Sequence, residues 1–241
     1  MNTIKNKVAL ITGGTKGIGY GIAEALLAQG VNVAVTSRSA EAANETAKLL
    51  NSSSYSALAI GVKADVRDFG SQQNAVRKVL SQFNQLDFVI ANAGLGHFGS
   101  IEELSIEQWQ DTIDTNLTGA FYTIKASVEA LKKSKGYFIT ISSLAGANFF
   151  AKGSAYNASK FGLTGFTQAV MLDLRQHGVK VSTIMPGSVS THFNGNEPDA
   201  KDDWKIQKED LGEMVVDLLK MNPRTLPSKI EVRPTMPPTK G

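Results

Sequence analysis

The stretch SAYNASKFG, residues 154–162, places Tyr156 and Lys160 four positions apart in a run of small residues. Residues at i and i+4 share one face of a helix. A free phenol has a pKa of about 10 and exchanges protons poorly near neutrality. An adjacent cation favours the phenolate and lowers that value by roughly 1–3 units. A tyrosine tuned in this way can give a proton to an alkoxide or take one from an alcohol. Ser143, just past the apolar run YFITIS (137–142), can hydrogen-bond the same oxygen. Taken singly, these features also read as ordinary surface. Their conjunction with the elements around them carries the argument.

Those elements alternate. Short β-branched runs, VALIT (8–12), NVAVTS (32–37), ALAIGVKA (57–64), DFVIANA (87–93), YFITIS (137–142), KVSTIM (180–185) and KIEVRP (229–234), read as strands. Most are nearly continuous apolar runs, which suits parallel strands covered on both faces. Helical patterns lie between them, over 18–29, 40–50, 70–83, 105–131, 155–177 and 208–221. In the last, Leu211, Met214, Val215, Leu218 and Leu219 make one apolar stripe. Repeated strand–helix alternation predicts right-handed crossovers and an α/β fold: one domain over 1–241, a doubly wound (Rossmann) parallel sheet of seven strands flanked by helices on both faces. Residues 187–207 read as a long polar loop on the substrate side, and 235–241 as a C-terminal tail.

The first strand runs into TGGTKGIG, residues 12–19. Gly13, Thr15, Lys16, Gly17, Ile18 and Gly19 form the turn into the first helix. Glycines there allow a tight turn and let a pyrophosphate approach a helix N-terminus, whose free N–H groups favour an anion. A plain strand–helix turn is the alternative, and the place at the first βα junction favours the nucleotide site. The second strand ends in Ser37 and Arg38, where an NAD site expects a carboxylate for the ribose hydroxyl. Arg38 can pair with a 2′-phosphate and Ser37 can donate a hydroxyl, so NADP(H) is the expected cofactor. Lys16 either adds a second cation or is a solvated side chain. Asp65, next to Val66 at the end of the third strand, either bonds the adenine amino group or caps a helix. Asn92, Ala93 and Gly94 end the fourth strand at the ligand edge, where small residues serve either a close nucleotide or tight packing.

TGGTKGIG, ANAG, Asn116 in NLTG, Ser143, YNASK and MPG together resemble the short-chain dehydrogenase/reductase family, in family order over nearly the whole chain. The resemblance implies hydride transfer between NADP(H) and a carbonyl or alcohol. It implies that Ser143 orients the carbonyl and that Tyr156 is the general acid/base. Lys160 would bind the nicotinamide ribose and lower the phenol pKa, and Asn116 would hold a water in a proton relay. Read without the resemblance, Asn116 is a buried polar residue satisfied locally. Pro186, Gly187, Val189 and Thr191 match the segment that lies along the nicotinamide. The subfamily nearest in character is the 3-oxoacyl-carrier-protein-reductase-like carbonyl reductases. Two departures, Ala91 for asparagine in ANAG and Met185 for asparagine in MPG, flank the site without removing a catalytic group.

Three segments should border the nicotinamide and contribute Leu95, Phe98, Leu144, Phe149, Phe150 and Phe193, with His97, Asn148 and His192 as polar exceptions. Such walls suit an uncharged ketone or aldehyde, and packing alone is the alternative. The fifth helical pattern carries Ala155, Ala158, Ser159, Gly162, Gly165 and Ala169, a small-residue pattern that permits close approach either of the chain's own sheet or of another copy. The resemblance implies a homo-oligomer, dimer or tetramer.

Composition narrows the classes. The 241 residues include 42% hydrophobic side chains and carry a net charge of only +3. Basic and acidic residues are mixed, which disfavours a nucleic-acid partner. With no cysteine and three histidines lacking ligand spacing, no metal site is expected. No apolar run reaches the roughly 20 residues of a membrane span, and MNTIKNK leads straight into VALIT, so a soluble cytoplasmic protein is expected. A nucleotide-sensing binding protein without turnover is the competing function. It predicts a damaged catalytic set, whereas Ser143, Tyr156 and Lys160 are all present.

Overall fold

The computed structural model describes residues 3–236. Seven strands, β1 (Val8–Ile11), β2 (Asn32–Ser37), β3 (Ala59–Lys63), β4 (Phe88–Ala91), β5 (Tyr137–Ile141), β6 (Lys180–Pro186) and β7 (Lys229–Val232), form one sheet in the order β3-β2-β1-β4-β5-β6-β7. Every neighbouring pair is parallel. Seven helices connect or flank them: α1 (Gly17–Ala28), α2 (Ala40–Asn51), α3 (Phe69–Phe83), α4 (Ile106–Ile113), α5 (Gly119–Ser134), α6 (Ser154–Leu174) and α7 (Lys208–Lys220).

The pleat sends alternate strand residues to opposite faces. Ala9 and Ile11 of β1, with Tyr137, Ile139 and Ile141 of β5, pack against Ile22 and Leu26 of α1 and against Leu211, Val215 and Leu218 of α7. Val8, Leu10 and Phe138 point the other way, onto Ala75 and Val79 of α3, Ile124 and Leu131 of α5, and Leu163 and Leu174 of α6. Both faces are thus buried, which explains the unbroken apolar strands. Asp87 is the buried exception ahead of β4. Its carboxylate accepts from the Val8 N–H and from the Lys7 ammonium, both at 2.9 Å, and so fixes the entry of β1 beside β4.

Two of the expected helices differ. The pattern over 105–131 is not one helix: a single wide, five-residue-bonded turn at Asp114–Thr118 separates α4 from α5. Such turns insert a residue into the helical ladder and concentrate at functional sites. The pattern over 155–177 ends as α6 at Leu174, followed by a tight turn closed by Gly178 at φ +76°. The 187–207 segment has two short turns of helix, Phe193–Gly195 and Ala200–Asp202, within an otherwise irregular path. Residues 237–241 of the expected tail lie outside the described residues.

Helices α1 and α7 meet backbone to backbone. A Cβ on Gly212 would lie 2.7 Å from the Gly21 carbonyl oxygen, and one on Gly21 would run into the Lys208 carbonyl. Gly212→Val is therefore expected to destabilise the fold by about 1–3 kcal/mol, the usual cost of overpacking. Thermal unfolding should show a midpoint lowered by several degrees; an unchanged midpoint would contradict this packing.

Candidate active site

The strand order reverses around β1 and β4, and the crevice beyond their carboxyl ends is where open α/β sheets bind ligands. Side-chain to backbone bonds join the two loops there. The Thr12 hydroxyl accepts from the Asn92 N–H at 3.0 Å and the Ala93 N–H at 3.1 Å. The Asn92 carboxamide donates back to the Thr12 and Gly13 carbonyls, each at 3.0 Å. Glycine loop and ANAG segment thus form one wall. Gly13 needs its missing side chain: its φ is +61°, and a Cβ would sit 3.0 Å from the Ala93 Cα. Gly17, at φ +54°, opens α1, whose N-cap residue Lys16 supplies no capping side chain. The first-turn N–H groups are left to an external acceptor, an arrangement that fits a phosphate.

A cleft of about 640 Å³ follows this edge. It is lined by Gly13, Thr15, Lys16, Gly17 and Ile18 of the glycine loop, then by Ser37, Arg38, Asp65 and Val66 at the ends of β2 and β3. Asn92, Ala93 and Gly94 follow β4, Ser143 follows β5, Tyr156 and Lys160 come from α6, and Pro186, Gly187, Val189 and Thr191 follow β6. Gly19 and Asn116 do not line it. A Cβ on Gly19 would lie 2.6 Å from the Gly13 carbonyl oxygen, so this glycine serves the packing of the turn.

Lys160 is 4% exposed. Its ammonium donates to the Ile141 carbonyl at 3.0 Å and lies 5.6 Å from the centre of the Tyr156 ring. Its own carbonyl accepts from the Thr164 hydroxyl at 2.9 Å and the Ser142 hydroxyl at 3.2 Å. Gly146 makes this possible, because a Cβ there would lie 2.7 Å from the same carbonyl oxygen. Burial pushes the Lys160 ammonium down to about 8. At neutral pH it remains mainly charged.

Tyr156 departs from the expected direction. Burial holds its phenol above the ordinary value, and the hydrogen bond to the Ser143 side chain only partly offsets this. Desolvation of the phenolate outweighs the cation, which is committed to the Ile141 carbonyl. Tyr156 therefore keeps its proton at neutral pH, the form that can donate. The Ser143 hydroxyl oxygen accepts from the Ala145 N–H at 3.1 Å, which leaves its own proton to be directed into the cleft.

Asn116 is 1% exposed and sits in the wide turn. Its carboxamide oxygen accepts from the Leu95 N–H at 2.9 Å. Its two N–H groups donate to the Leu95 carbonyl at 2.8 Å and to the Ser159 hydroxyl at 2.9 Å. The side chain is a clamp between the β4 loop and α6. Both carboxamide donors are used within the chain.

Asp65 neither caps a helix nor stands free. Asp68 caps α3. Asp65 is bound by Arg67 at 2.8 Å, and Arg67 holds its carboxyl below the usual carboxylate range. Arg67 also reaches Asp111 at 2.8 Å, and Asp111 meets His97 at 3.1 Å. Only the position of Arg67, two residues after Asp65, hinted at this network. Arg38 is exposed and forms no ion pair among the described residues. Of the expected pocket walls, Leu95, His97, His192 and Phe193 line the cleft, whereas Phe98, Leu144, Asn148, Phe149 and Phe150 do not, and Phe149 is 87% exposed. Asn157 was also missed; its buried carboxamide donates to the Ala145 and Asn148 carbonyls, both at 2.8 Å, and ties the 144–148 turn to α6. Among the described residues no cluster of three or more possible metal ligands occurs, and no helix is long and apolar enough to cross a membrane.

Residues 7–202 match the family model described as short chain dehydrogenase. The chain belongs to the short-chain dehydrogenase family. It is 35% identical to trans-4-hydroxycyclohexanecarboxylate dehydrogenase of Sinomonas cyclohexanicum, over 78% of this chain and 74% of that one. It is 32% identical to the 3-oxoacyl-[acyl-carrier-protein] reductase of Escherichia coli, over 78% of this chain and 75% of that one. An alcohol dehydrogenase from Thermococcus sibiricus, solved with 5-hydroxy-NADP, superposes with a TM-score of 0.88 at 30% identity, covering 97% of this chain and 99% of that one. The oxidoreductase character of this family member follows. Its relatives' substrates differ, so substrate and cofactor preference rest on this chain's own residues.

The buried ammonium has a stability consequence. Between about pH 8 and the solvated lysine value of 10.5, the unfolded chain binds a proton at this position that the folded chain does not. Stability contributed by this group therefore rises with pH through that window. Below pH 8 its burial costs on the order of 3 kcal/mol. Lys160→Met is expected to raise the unfolding midpoint at pH 7, with the gain shrinking at pH 9.5. A variant less stable than the parent at both pH values would contradict the burial.

Proposed function

We propose that the chain is an NADP(H)-dependent oxidoreductase acting on a carbonyl compound or the matching secondary alcohol, with Tyr156 as general acid/base. The observation that carries the proposal is the Tyr156 phenol beside Ser143 and Lys160, inside the cleft that the glycine loop opens. When bound, the dinucleotide supplies or accepts the hydride. Ser143 and Tyr156 would both hydrogen-bond the substrate oxygen, and Tyr156 would give it a proton in reduction and withdraw one in oxidation. Lys160 would hold the nicotinamide-side ribose and place positive charge near the phenolate as it forms.

Cofactor choice rests on the end of β2. No carboxylate follows Ser37, Arg38 is exposed and unpaired among the described residues, and Arg67 is already shared by two carboxylates. Arg38, with Lys16 on the facing loop, would hold the 2′-phosphate. Asp65 and Val66 would border the adenine; Asn92, Ala93, Pro186, Gly187, Val189 and Thr191 would line the path toward the nicotinamide. We include in the proposal a single domain, a small-molecule substrate, a cytoplasmic location and a homodimer or tetramer. The small-residue pattern of α6 supports the last point in part. Ala155 and Ser159 are buried inward, whereas Gly165 faces open space and Phe161 and Leu172 of the same helix are exposed.

Two measurements test the reading. Tyr156→Phe should lower turnover of any carbonyl substrate by about 100-fold or more while NADPH fluorescence titration stays near the parent value. Reduction at the parent rate would refute the acid assignment. Arg38→Asp should shift the NADPH-to-NADH preference toward NADH by about tenfold or more, the worth of a lost charge-assisted contact. An unchanged ratio would exclude Arg38 as the phosphate ligand.

A further inference from the structure

Aromatic rings gather beside Tyr156: Phe193 lines the cleft, and Phe98 and Phe150 stand just outside its lining. Phe98 packs against the Tyr156 ring at 5.4 Å and 57°, and Phe193 does so at 5.7 Å and 56°. Phe150 extends the same wall, 6.0 Å from Phe98. The rings come from three separate segments: the loop after β4, the turn before α6 and the 187–207 loop. Gly96 lets them converge, since a Cβ there would lie 2.7 Å from the Phe98 ring and 3.1 Å from the Phe193 ring. Phe98 and Phe150 remain 41% and 48% exposed. Flat apolar surface is thus left uncovered beside the one phenol placed for proton transfer.

The cations of the cleft are bound within the chain or stand at its glycine-loop end. Lys16, Arg38 and Arg67 line it from the glycine loop and the ends of β2 and β3. Lys160 is turned to the Ile141 carbonyl. Beside the aromatic wall, the ionisable pair is His97 with the Asp111 carboxylate. Among the described residues the lining groups that could meet a substrate carboxylate there, Arg67 and His97, are already engaged by the Asp111 carboxylate.

We infer that the substrate is an uncharged ketone carrying a ring, a cycloalkanone or an aryl ketone, or its secondary alcohol in the reverse direction. Its ring lies on Phe98 and Phe193 with the carbonyl oxygen toward Tyr156 and Ser143. This rests on the oxidoreductase reading proposed above. In reduction the carbonyl carbon gains a hydride from NADPH and the oxygen gains the Tyr156 proton; NADPH leaves as NADP+, and solvent restores the phenol. A ring presents a compact, rigid face to aromatic walls at little entropic cost, which a linear acyl chain does not. The 35% identical relative that is named for a hydroxycyclohexanecarboxylate differs in that its named substrate bears a carboxylate, which this wall does not accommodate.

The test follows NADPH oxidation by the full chain with four probes: cyclohexanone, acetophenone, 4-oxocyclohexanecarboxylate and the N-acetylcysteamine thioester of acetoacetate. The two neutral ring ketones should show the highest kcat/KM, with the carboxylate at least about tenfold lower. Phe98→Ala should lower kcat/KM for cyclohexanone relative to the linear thioester by about tenfold, mainly through KM, the order expected for one lost aromatic face. Phe98→Leu, which keeps the volume, should lose part of that ratio. Retained NADPH fluorescence enhancement shows that each variant is folded. Preference for the thioester or the carboxylate, or an unchanged ratio in both variants, would overturn the inference while leaving the oxidoreductase reading in place. Failure to oxidise NADPH with all four probes, despite NADPH binding, would overturn both.

Discussion

A lysine ammonium is buried at the carboxyl edge of a parallel sheet, and the geometry of the site depends on keeping it there. A buried cation without partners is expensive. Here one backbone carbonyl, that of Ile141, accepts from it directly. Two hydroxyls, of Ser142 and Thr164, hold the carbonyl of the same residue. Lys160 is thus gripped at both ends by the last residues of β5 and by its own helix. The first turns of α6 cannot shift without breaking one of these contacts, and Tyr156 lies in those turns. The proton-transfer geometry is therefore set by the way α6 docks on the end of β5, more than by the Tyr156 side chain itself.

The same docking explains several small residues. Gly146 lets the turn after β5 lie against the Lys160 carbonyl. Asn157 pins that turn to α6, and Asn116 pins α6 to the loop after β4 through Ser159 and Leu95. The wide turn at 114–118 places Asn116 where it can reach both. Backbone groups that would otherwise be orphaned near a cleft are satisfied by carboxamides, which offer donors and an acceptor together. Among the described residues no buried side-chain nitrogen or oxygen lacks a hydrogen-bond partner. A rigid, satisfied frame of this kind is what a preorganised site requires.

Much of this was legible in the sequence, because its signals are local. Continuous apolar runs marked the strands, and the glycine turn at 12–19 identified the nucleotide edge. The spacing of Tyr156 and Lys160 put both on one face of α6. What escaped depended on contacts between distant segments. The helix over 105–131 looked continuous because a wide turn has no composition of its own. Arg67 joins Asp65 to Asp111, a residue 44 positions away, and no spacing rule shows that. The direction of the Tyr156 shift escapes the sequence for a similar reason. Spacing shows that a cation is near, but not that burial outweighs it or that the cation is already bonded to Ile141. Gly19 and Asn116 sit in motifs that suggest contact with a ligand, yet neither lines the cleft, and the Asn116 carboxamide is bound within the chain.

The site turns on a lysine ammonium that is desolvated and held beside the phenol by the Ile141 carbonyl. A carbon-13 NMR titration of lysine-labelled protein, with the Lys160 signal assigned by its loss in Lys160→Arg, measures this directly. The account predicts a midpoint of about 8 for that signal. A midpoint near the solvated value of about 10.4 would show an ammonium in water, and the arrangement described here would not stand.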